Sequence, residues 1–247
     1  MVIIKRFVIM LQFFTSIPIP INMNCDEKDY GKGLTFAPVV GLIIGFLLFA
    51  FQRLLNMFFS IKIVAALIII GYIVLTGGLH LDGLGDTFDG LFSSRPKDKI
   101  LEIMRDSRVG TNAVLALICI ILLNFVLLTE INIMAKAILL FPVAGRIGSL
   151  FGAGTSVYAR KNEGLGKSFI DHCGIKEMFF GGIISVVIFG AIMGLKGVVT
   201  AFILMTTSFI ITKILTLKIG GATGDILGAV CELNQTVFLM LMYTLGI

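Results

Sequence analysis

Charge is scarce in this chain. Charged residues are 14% of the 247 residues, whereas they make up about a quarter of an ordinary soluble domain. Apolar residues are 57%, and the mean hydropathy is +1.02. A water-soluble globule of this length has too little interior to bury that much apolar surface. The composition therefore excludes a soluble domain and predicts one membrane-embedded domain over residues 1–247.

Two further features are missing. The four cysteines, Cys25, Cys119, Cys173 and Cys231, lie far apart without a C-x-x-C pair, which excludes a disulfide scaffold and a cysteine metal site. No useful length of chain alternates apolar and polar residues as the strands of a membrane β-barrel do. The fold class that remains is all-α, a polytopic membrane helix bundle.

Long apolar runs are present instead, and a helix needs about 20 such residues to cross the hydrocarbon. The N-terminal stretch carries basic residues near its start, Lys5 and Arg6, lacks a small-residue cleavage site and ends at Pro18, so we expect a retained helix in the membrane interface. After it, about seven spans are predicted: Ala37–Phe59, Lys62–Leu79, Thr111–Leu128, Ile131–Gly152, Phe179–Leu195, Val198–Leu217 and Leu233–Ile247.

The distribution of charge indicates an orientation. If each candidate crosses once, most Lys and Arg residues fall on the side of residues 24–36, 80–110, 153–178 and 218–232. Positive charge marks the cytoplasmic side, so we expect a multi-pass protein of the cytoplasmic membrane. The net charge of +5 is thus explained by topology and lipid contact, and we expect no nucleic-acid partner. Among the acids only Glu130 lies on the far side, which predicts an active site facing the cytoplasm.

Residues 77–90 interrupt an apolar run with three carboxylates. Asp82, Asp86 and Asp89 stand at i, i+4 and i+7, within a sector of about 60° on one helical face. Like charges this close repel, and Mg²⁺ shared with substrate phosphates removes the repulsion. The glycines among them each cost about 1 kcal/mol in a helix, which favours close approach of a ligand to the backbone. The alternative is a solvated helix end whose acids pair with nearby Lys and Arg.

Basic residues and glycine-rich loops are expected on the same side. Arg105 and Arg108 stand at i, i+3, a spacing that shares a helical face and suits a phosphate clamp. Residues 158–167 and 220–225 combine glycines with polar groups and are able to present backbone N–H groups to an anion. Arg146 lies within a span, where a charge is costly unless it faces a polar interior or a bound anion. Each feature alone is also typical of a plain interfacial turn or a cytoplasmic anchor.

On these residues the chain resembles the cobalamin synthase family of adenosylcobinamide-GDP ribazoletransferases. The matching pieces are GGLHLDGLGDTFDGLF at residues 77–92, IMRDSRVGT at 103–111, YAR with the following GLG at 158–166, and GGATGDILGA at 220–229 with Glu232. The first motif is highly specific, and the resemblance covers nearly the whole chain in the expected order.

The resemblance implies a Mg²⁺-dependent membrane enzyme. It would transfer the adenosylcobinamide phosphate group from adenosylcobinamide-GDP to α-ribazole, or to its 5′-phosphate, and release GMP. We expect the ribazole 5′-hydroxyl to attack the phosphorus attached to cobinamide. Neither the residues nor the resemblance distinguishes a monomer from a homo-oligomer.

The resemblance also implies roles for residues of this chain. Asp82, Asp86 and Asp89 would hold one or two Mg²⁺, and one of them or Asp225 would take the hydroxyl proton. Arginines would neutralise the departing GMP. The candidate substrate-binding residues are His80, which the residues alone indicate as a structural hydrogen-bonding side chain, and Arg105, Asp106, Arg108, Arg146, Arg160, Gly221 and Thr223.

Three alternatives have their own signatures. A membrane prenyltransferase would show two acidic motifs related by an internal repeat, and none is visible. A CDP-alcohol phosphotransferase would carry Asp-x-x-Asp-Gly-x-x-Ala-Arg followed by two further Asp, which this chain lacks. A cation transporter would place its acids well inside the spans, whereas here they are expected at the cytoplasmic ends.

Overall fold

The computed structural model describes residues 2–21, 23–161 and 164–246. The one extended pairing in these ranges is an isolated parallel bridge between Tyr158 and Ala222. The predicted all-α class is therefore confirmed. The helices are α1 (Val2–Phe14), α2 (Glu27–Gly33), α3 (Ala37–Leu55), α4 (Ile61–Thr76), α5 (Leu79–Leu91), α6 (Lys97–Ile103), α7 (Thr111–Glu130), α8 (Met134–Gly154), α9 (Leu165–Asp171), α10 (Ile175–Met193), α11 (Leu195–Thr216) and α12 (Gly224–Thr244).

Within the described ranges, six helical segments are long and apolar enough to cross a membrane. The first of them is Glu27–Leu55, in which a 3-10 turn over Leu34–Phe36 joins α2 to α3, and the others are α7, α8, α10, α11 and α12. Counting α4 with α5 as one bent span gives seven. The chain is thus a multi-pass membrane protein, with α1 as an additional N-terminal helix.

Helix α8 forms the centre of the bundle, between α3 and α12. Close contact is possible because small residues stand where the backbones meet, the usual device of helices that pack within a bilayer. A Cβ added to Gly45 of α3 would overlap the Leu139 carbonyl oxygen of α8. A Cβ added to Gly148 of α8 would lie 2.8 Å from the Val230 carbonyl oxygen of α12. The packing therefore depends on the absence of side chains at these positions.

A sharp bend separates α4 from α5. Gly77 and Gly78 have φ values of +63° and +69°, a conformation that residues with a Cβ rarely adopt. The Gly78 N–H donates to the Ile73 carbonyl oxygen at 3.0 Å, which closes α4, and α5 then leaves at 91° to α4. The predicted span Lys62–Leu79 was therefore too long at its end. The bend turns the acidic stretch away from the direction of α4.

The last helix differs from its predicted bounds. We expected a span over Leu233–Ile247, but α12 begins at Gly224 and ends at Thr244, and Ile247 lies outside the described residues. The prediction missed two turns because Asp225 and Glu232 reduce the apolar count there. Glu232 is only 2% exposed and accepts a hydrogen bond from another helix, so its charge does not meet lipid.

The four stretches predicted to share one side of the bundle do lie together. The bridge of Tyr158 to Ala222 joins the third stretch to the fourth, and Lys218 of the fourth donates to the Leu91 carbonyl oxygen of the second at 2.6 Å. A Cβ on Gly31 in α2 would lie 2.5 Å from the His172 backbone, so the first stretch also contacts the third. Helix α1 is fixed to this end because Lys5 pairs with Asp29 of α2 at 2.6 Å.

The contact of α3 with α8 can be tested with two Gly→Ala variants. Gly45→Ala places a methyl group against the α8 backbone, and we expect overpacking to cost about 1–3 kcal/mol. Gly71→Ala is the control, because its nearest neighbours are side-chain atoms at 3.4–3.6 Å. Thermal unfolding in detergent should show a lower midpoint for Gly45→Ala alone. Equal midpoints would contradict the described packing.

Candidate active site

A cavity of about 260 Å³ opens where α5 meets α12. Its walls come from α1, α5, α8, α9, the turn after α6, the start of α12, and Tyr158, Arg160 and residues 164–166. Four charged residues that the sequence singled out line it, together with His80: Asp82, Arg105, Arg160 and Asp225. The fold thus gathers opposite charges from segments more than 140 positions apart at one concave surface.

Glycines bring α5 and α12 into contact at this cavity. A Cβ on Gly83 would lie 2.8 Å from the Asp225 carbonyl oxygen, and one on Gly228 would lie 3.2 Å from the His80 carbonyl oxygen. The sequence indicated that something approaches the α5 backbone closely, and we expected a ligand. The structure shows a neighbouring helix instead. The glycines therefore place Asp225 beside the acidic face of α5.

The carboxylates of Asp82 and Asp86 are free of protein partners. Asp82 is exposed and Asp86 is half-buried, and neither side chain makes a hydrogen bond or ion pair with another residue of the described ranges. Asp86 lies within electrostatic range of Asp82, Asp89 and Asp225, and also of Arg160. The alternative of acids neutralised by neighbouring Lys and Arg therefore does not hold for these two.

Asp89 differs from the other two acids of α5. It accepts hydrogen bonds from the backbone N–H groups of Gly110 at 2.6 Å and Ala113 at 2.8 Å. These donors belong to the start of α7, where unpaired N–H groups and the helix dipole favour a carboxylate. Both oxygens of Asp89 are thus already engaged in a helix cap. The free oxygen donors on α5 are those of Asp82 and Asp86.

Asp225 is oriented by its neighbours. Its Oδ2 accepts from Arg160 Nη2 at 2.8 Å and from the Thr223 hydroxyl at 3.2 Å, and Thr223 in turn accepts from the Ile226 N–H at 3.2 Å and caps α12. A Cβ on Gly221 would lie 2.5 Å from the Val157 carbonyl oxygen. Both Gly221 and Thr223 are buried. They build the loop that presents Asp225, and neither is among the residues that line the cavity.

The expected arginine pair is not formed. Helix α6 ends at Ile103, so Arg105 and Arg108 do not share a helical face and that prediction was wrong. Arg105 lines the cavity, whereas the Arg108 side chain is 87% exposed and donates to Asp106 at 2.6–3.1 Å. These hydrogen bonds hold the pKa of Asp106 at about 2. Neither Arg108 nor Asp106 is among the residues that line the cavity.

Arg105, Tyr158 and Arg160 also line a second, open groove of about 640 Å³. This groove runs between α6 and residues 158–161, and its further lining includes two lysines and two acids: Lys97, Lys161, Asp98 and Glu102. Two residues of the predicted loop 158–167, Asn162 and Glu163, lie outside the described residues. Cavity and groove thus meet at a boundary with two arginines.

Arg146 lies beneath the cavity and is completely buried. Its Nη1 contacts His80 Nδ1 at 3.3 Å and donates to Cys231 Sγ at 3.0 Å, and the guanidinium lies 4.6 Å from the centre of the Phe14 ring. Because a guanidinium carries donors only, Nδ1 of His80 must accept, which leaves the ring proton on Nε2. His80 is therefore a hydrogen-bonded structural side chain that also borders the cavity.

This buried network contains residues that the sequence reasoning missed. The Tyr72 hydroxyl donates to Glu232 Oε1 at 2.9 Å and accepts from Gln235 Nε2 at 2.8 Å. Tyr72 and Gln235 are polar residues within apolar helices, and that position is a signal that they face the protein interior. Phe13 and Phe14 of α1 also line the cavity, but nothing distinguishes them from lipid-facing phenylalanines in the sequence.

The aspartates are not the tightest cluster of metal-ligand types in the described ranges. That cluster is His80, Cys231 and Glu232, whose ligand atoms lie within 4.8 Å of one another. Arg146 contacts two of the three, so a guanidinium already supplies the positive charge there. A hard divalent cation such as Mg²⁺ needs one or two carboxylates together with phosphate and water oxygens. The free carboxylates of Asp82 and Asp86 fit that requirement.

The chain is similar to proteins of one family along nearly its whole length. A family model described as cobalamin-5-phosphate synthase matches residues 6–243. A relative from Acetivibrio thermocellus named adenosylcobinamide-GDP ribazoletransferase is 59% identical over 97% of this chain and 98% of its own length. Proteins of the same name from Clostridium acetobutylicum and Thermoanaerobacter pseudethanolicus are 56% and 42% identical, over 98% and 96% of this chain and 97% and 96% of their own lengths. No solved structure matches the chain.

The free energy of unfolding should distinguish Asp89, which caps α7, from Asp82, which has no protein partner in the described ranges. Asp89→Ala removes the acceptors of two backbone N–H groups, and we expect the free energy of unfolding to fall by about 0.5–2 kcal/mol. Asp82→Asn removes a charge without a protein partner and should leave stability within about 0.5 kcal/mol. The measurement is denaturant or thermal unfolding of both variants in the same detergent. A loss of stability in Asp82→Asn equal to that in Asp89→Ala would be inconsistent with the geometry.

Proposed function

The chain belongs to the cobalamin-5-phosphate synthase family, and we propose that it carries out its transfer reaction in the cavity between α5 and α12. The adenosylcobinamide phosphate group moves from adenosylcobinamide-GDP to α-ribazole, or to the 5′-phosphate of α-ribazole, and GMP is released. The observation that carries this assignment is the meeting of Asp82, Asp225, Arg105 and Arg160 at one cavity. Phosphoryl transfer from a diphosphate to a hydroxyl uses cationic groups that neutralise phosphate charge and a carboxylate that accepts the hydroxyl proton.

We assign the attack to a ring hydroxyl of the ribose, which corrects the 5′-hydroxyl expected above. The family description names a cobalamin 5-phosphate as product, and an acceptor that keeps a 5′-phosphate has no free 5′-hydroxyl. The attacking oxygen forms a bond to the phosphorus attached to cobinamide. The bond from that phosphorus to the GMP oxygen breaks, and the hydroxyl proton passes to a carboxylate.

The carboxylates and the arginines at the cavity have different roles in this proposal. Asp82 and Asp225 both line the cavity, so either carboxylate is placed to accept the hydroxyl proton. Arg105 and Arg160 stand at the boundary of the cavity and the open groove, where they bind the diphosphate and neutralise the charge that develops on GMP. Arg108 takes no part in this proposal, because it pairs with Asp106 outside the cavity.

We propose Mg²⁺ as the cofactor, held by Asp82 and Asp86. The support is the absence of any hydrogen-bonding partner for these two carboxylates within the described ranges, together with their spacing of one turn on α5. When bound, the ion neutralises charge on the diphosphate. Asp89, the third predicted ligand, keeps its α7 cap in this proposal and orients α5 against α7.

The orientation in the membrane is part of the proposal. The positive residues near the cavity favour a cytoplasmic location for this end of the bundle. Since nucleotide-linked donors are cytoplasmic metabolites, the same end is where substrates arrive. A cation transporter would need free acids at the middle of the spans. Asp82 is exposed instead, and Glu232, which is buried within α12, already accepts a hydrogen bond from Tyr72.

The metal role can be tested with single substitutions. Asp82→Asn and Asp86→Asn remove a negative oxygen donor, so we expect GMP release to fall by about 100-fold or more at a fixed Mg²⁺ concentration. Part of the loss should be recovered as Mg²⁺ is raised, because the weakened site then fills. Glu130→Gln, at the other end of the bundle, is the matched control and should keep full activity. Full activity in both aspartate variants would reject the metal role.

The orientation can be tested by labelling single cysteines. The exposed natural thiols, Cys25 and Cys119, are first replaced by serine. Ser107→Cys, near the cavity, should react with a membrane-impermeant maleimide only in inside-out vesicles. Asn56→Cys, in the turn between α3 and α4, should react only in intact cells. The reverse pattern would place the cavity on the outer side.

A further inference from the structure

The aromatic side chains at the cavity form one continuous wall. Phe13 lies 4.7 Å from Phe169 and 5.2 Å from Phe14, measured between ring centres. Phe14 in turn stacks on His80 with centres 5.6 Å apart and an interplanar angle of 28°. Phe13, Phe14 and Phe169 all line the cavity. The wall is therefore a surface suited to a flat heteroaromatic ring.

The cavity and the groove differ in size and polarity. The cavity, of about 260 Å³, lies just under the ~300–1,000 Å³ of pockets for drug-sized ligands. It has room for a nucleoside but not for a corrin macrocycle. The open groove is larger, about 640 Å³, and carries Lys97 and Lys161 in addition to the shared arginines. A nucleotide-linked donor matches the groove, because basic side chains bind its phosphates.

We propose that the aromatic end of the cavity is the acceptor subsite and binds the bicyclic base of α-ribazole, while the groove binds the nucleotide part of the donor. This inference rests on the proposed function. The base stacks against Phe13, and the ribose points toward Asp82 and Asp225. The reacting phosphorus then lies at the boundary, beside Arg105 and Arg160, where both compartments meet. Helix α1 thereby supplies a specificity-determining side chain from the N-terminal interfacial segment.

Steady-state kinetics of two variants separate the compartments. Phe13→Ala should raise the KM for α-ribazole about tenfold or more, since stacking of a base on an aromatic ring is of that order, and leave the KM for adenosylcobinamide-GDP within about twofold. Lys97→Ala should raise the KM for adenosylcobinamide-GDP and leave the KM for α-ribazole within about twofold. Phe58→Ala, an exposed phenylalanine at the far end, is the control for loss of a ring. Phe13→Leu keeps apolar volume without the ring and serves if Phe13→Ala does not fold.

Direct binding gives a second readout. The chain contains no tryptophan, so the fluorescence of the ribazole base can be followed in a titration without the donor. Wild type should bind, and Phe13→Leu should bind about tenfold more weakly. A wild type that binds ribazole but releases no GMP in the full assay would count against the proposed function. An active wild type whose Phe13 variants change only the donor KM, or both KM values equally, would overturn the subsite assignment.

Discussion

The site depends on the contact between α5 and the first turns of α12. The absence of side chains at Gly83 and Gly228 lets the two backbones approach closely enough for Asp82 and Asp225 to border one cavity. The bend at Gly77 and Gly78 turns α5 into the position where this contact is possible. A helix that continued straight from α4 would carry its acids away from α12. Helix geometry thus creates the acidic site before any ligand is present.

The buried network supports the same arrangement from below. A guanidinium in a membrane protein interior is costly unless it is surrounded by polar or aromatic partners, and Arg146 has His80, Cys231 and the Phe14 ring. These contacts fix the tautomer of His80 and join α1, α5, α8 and α12 beneath the cavity. The Arg146 guanidinium also makes the cluster of His80, Cys231 and Glu232 unsuitable for a metal ion, because it already contacts two of the three residues. The proposed metal site is consequently formed by the free carboxylates of Asp82 and Asp86 above it.

The number and approximate positions of the membrane helices could be predicted from the sequence, because a helix that crosses the hydrocarbon needs a long apolar run. The errors occur where polar residues face protein rather than lipid, as Glu232 does in α12. The motif of α5 predicted an acidic site, but its spacing did not reveal that Asp89 caps α7, since that partner lies on another helix. The predicted Arg105 and Arg108 pair failed for a local reason, because α6 ends before them. The sequence therefore identified the acidic segment, but only the contacts between helices distinguish the capping carboxylate of Asp89 from the free carboxylates of Asp82 and Asp86.

Electron paramagnetic resonance with Mn²⁺ in place of Mg²⁺ tests whether the free carboxylates of α5 bind a divalent cation beside the donor diphosphate. Wild-type protein in nanodiscs, mixed with adenosylcobinamide-GDP and no acceptor, should bind Mn²⁺ with a phosphorus hyperfine coupling. The double variant Asp82→Asn and Asp86→Asn should lose both the bound ion and the coupling. Unchanged Mn²⁺ binding and coupling in that variant would show that Asp82 and Asp86 do not hold the ion.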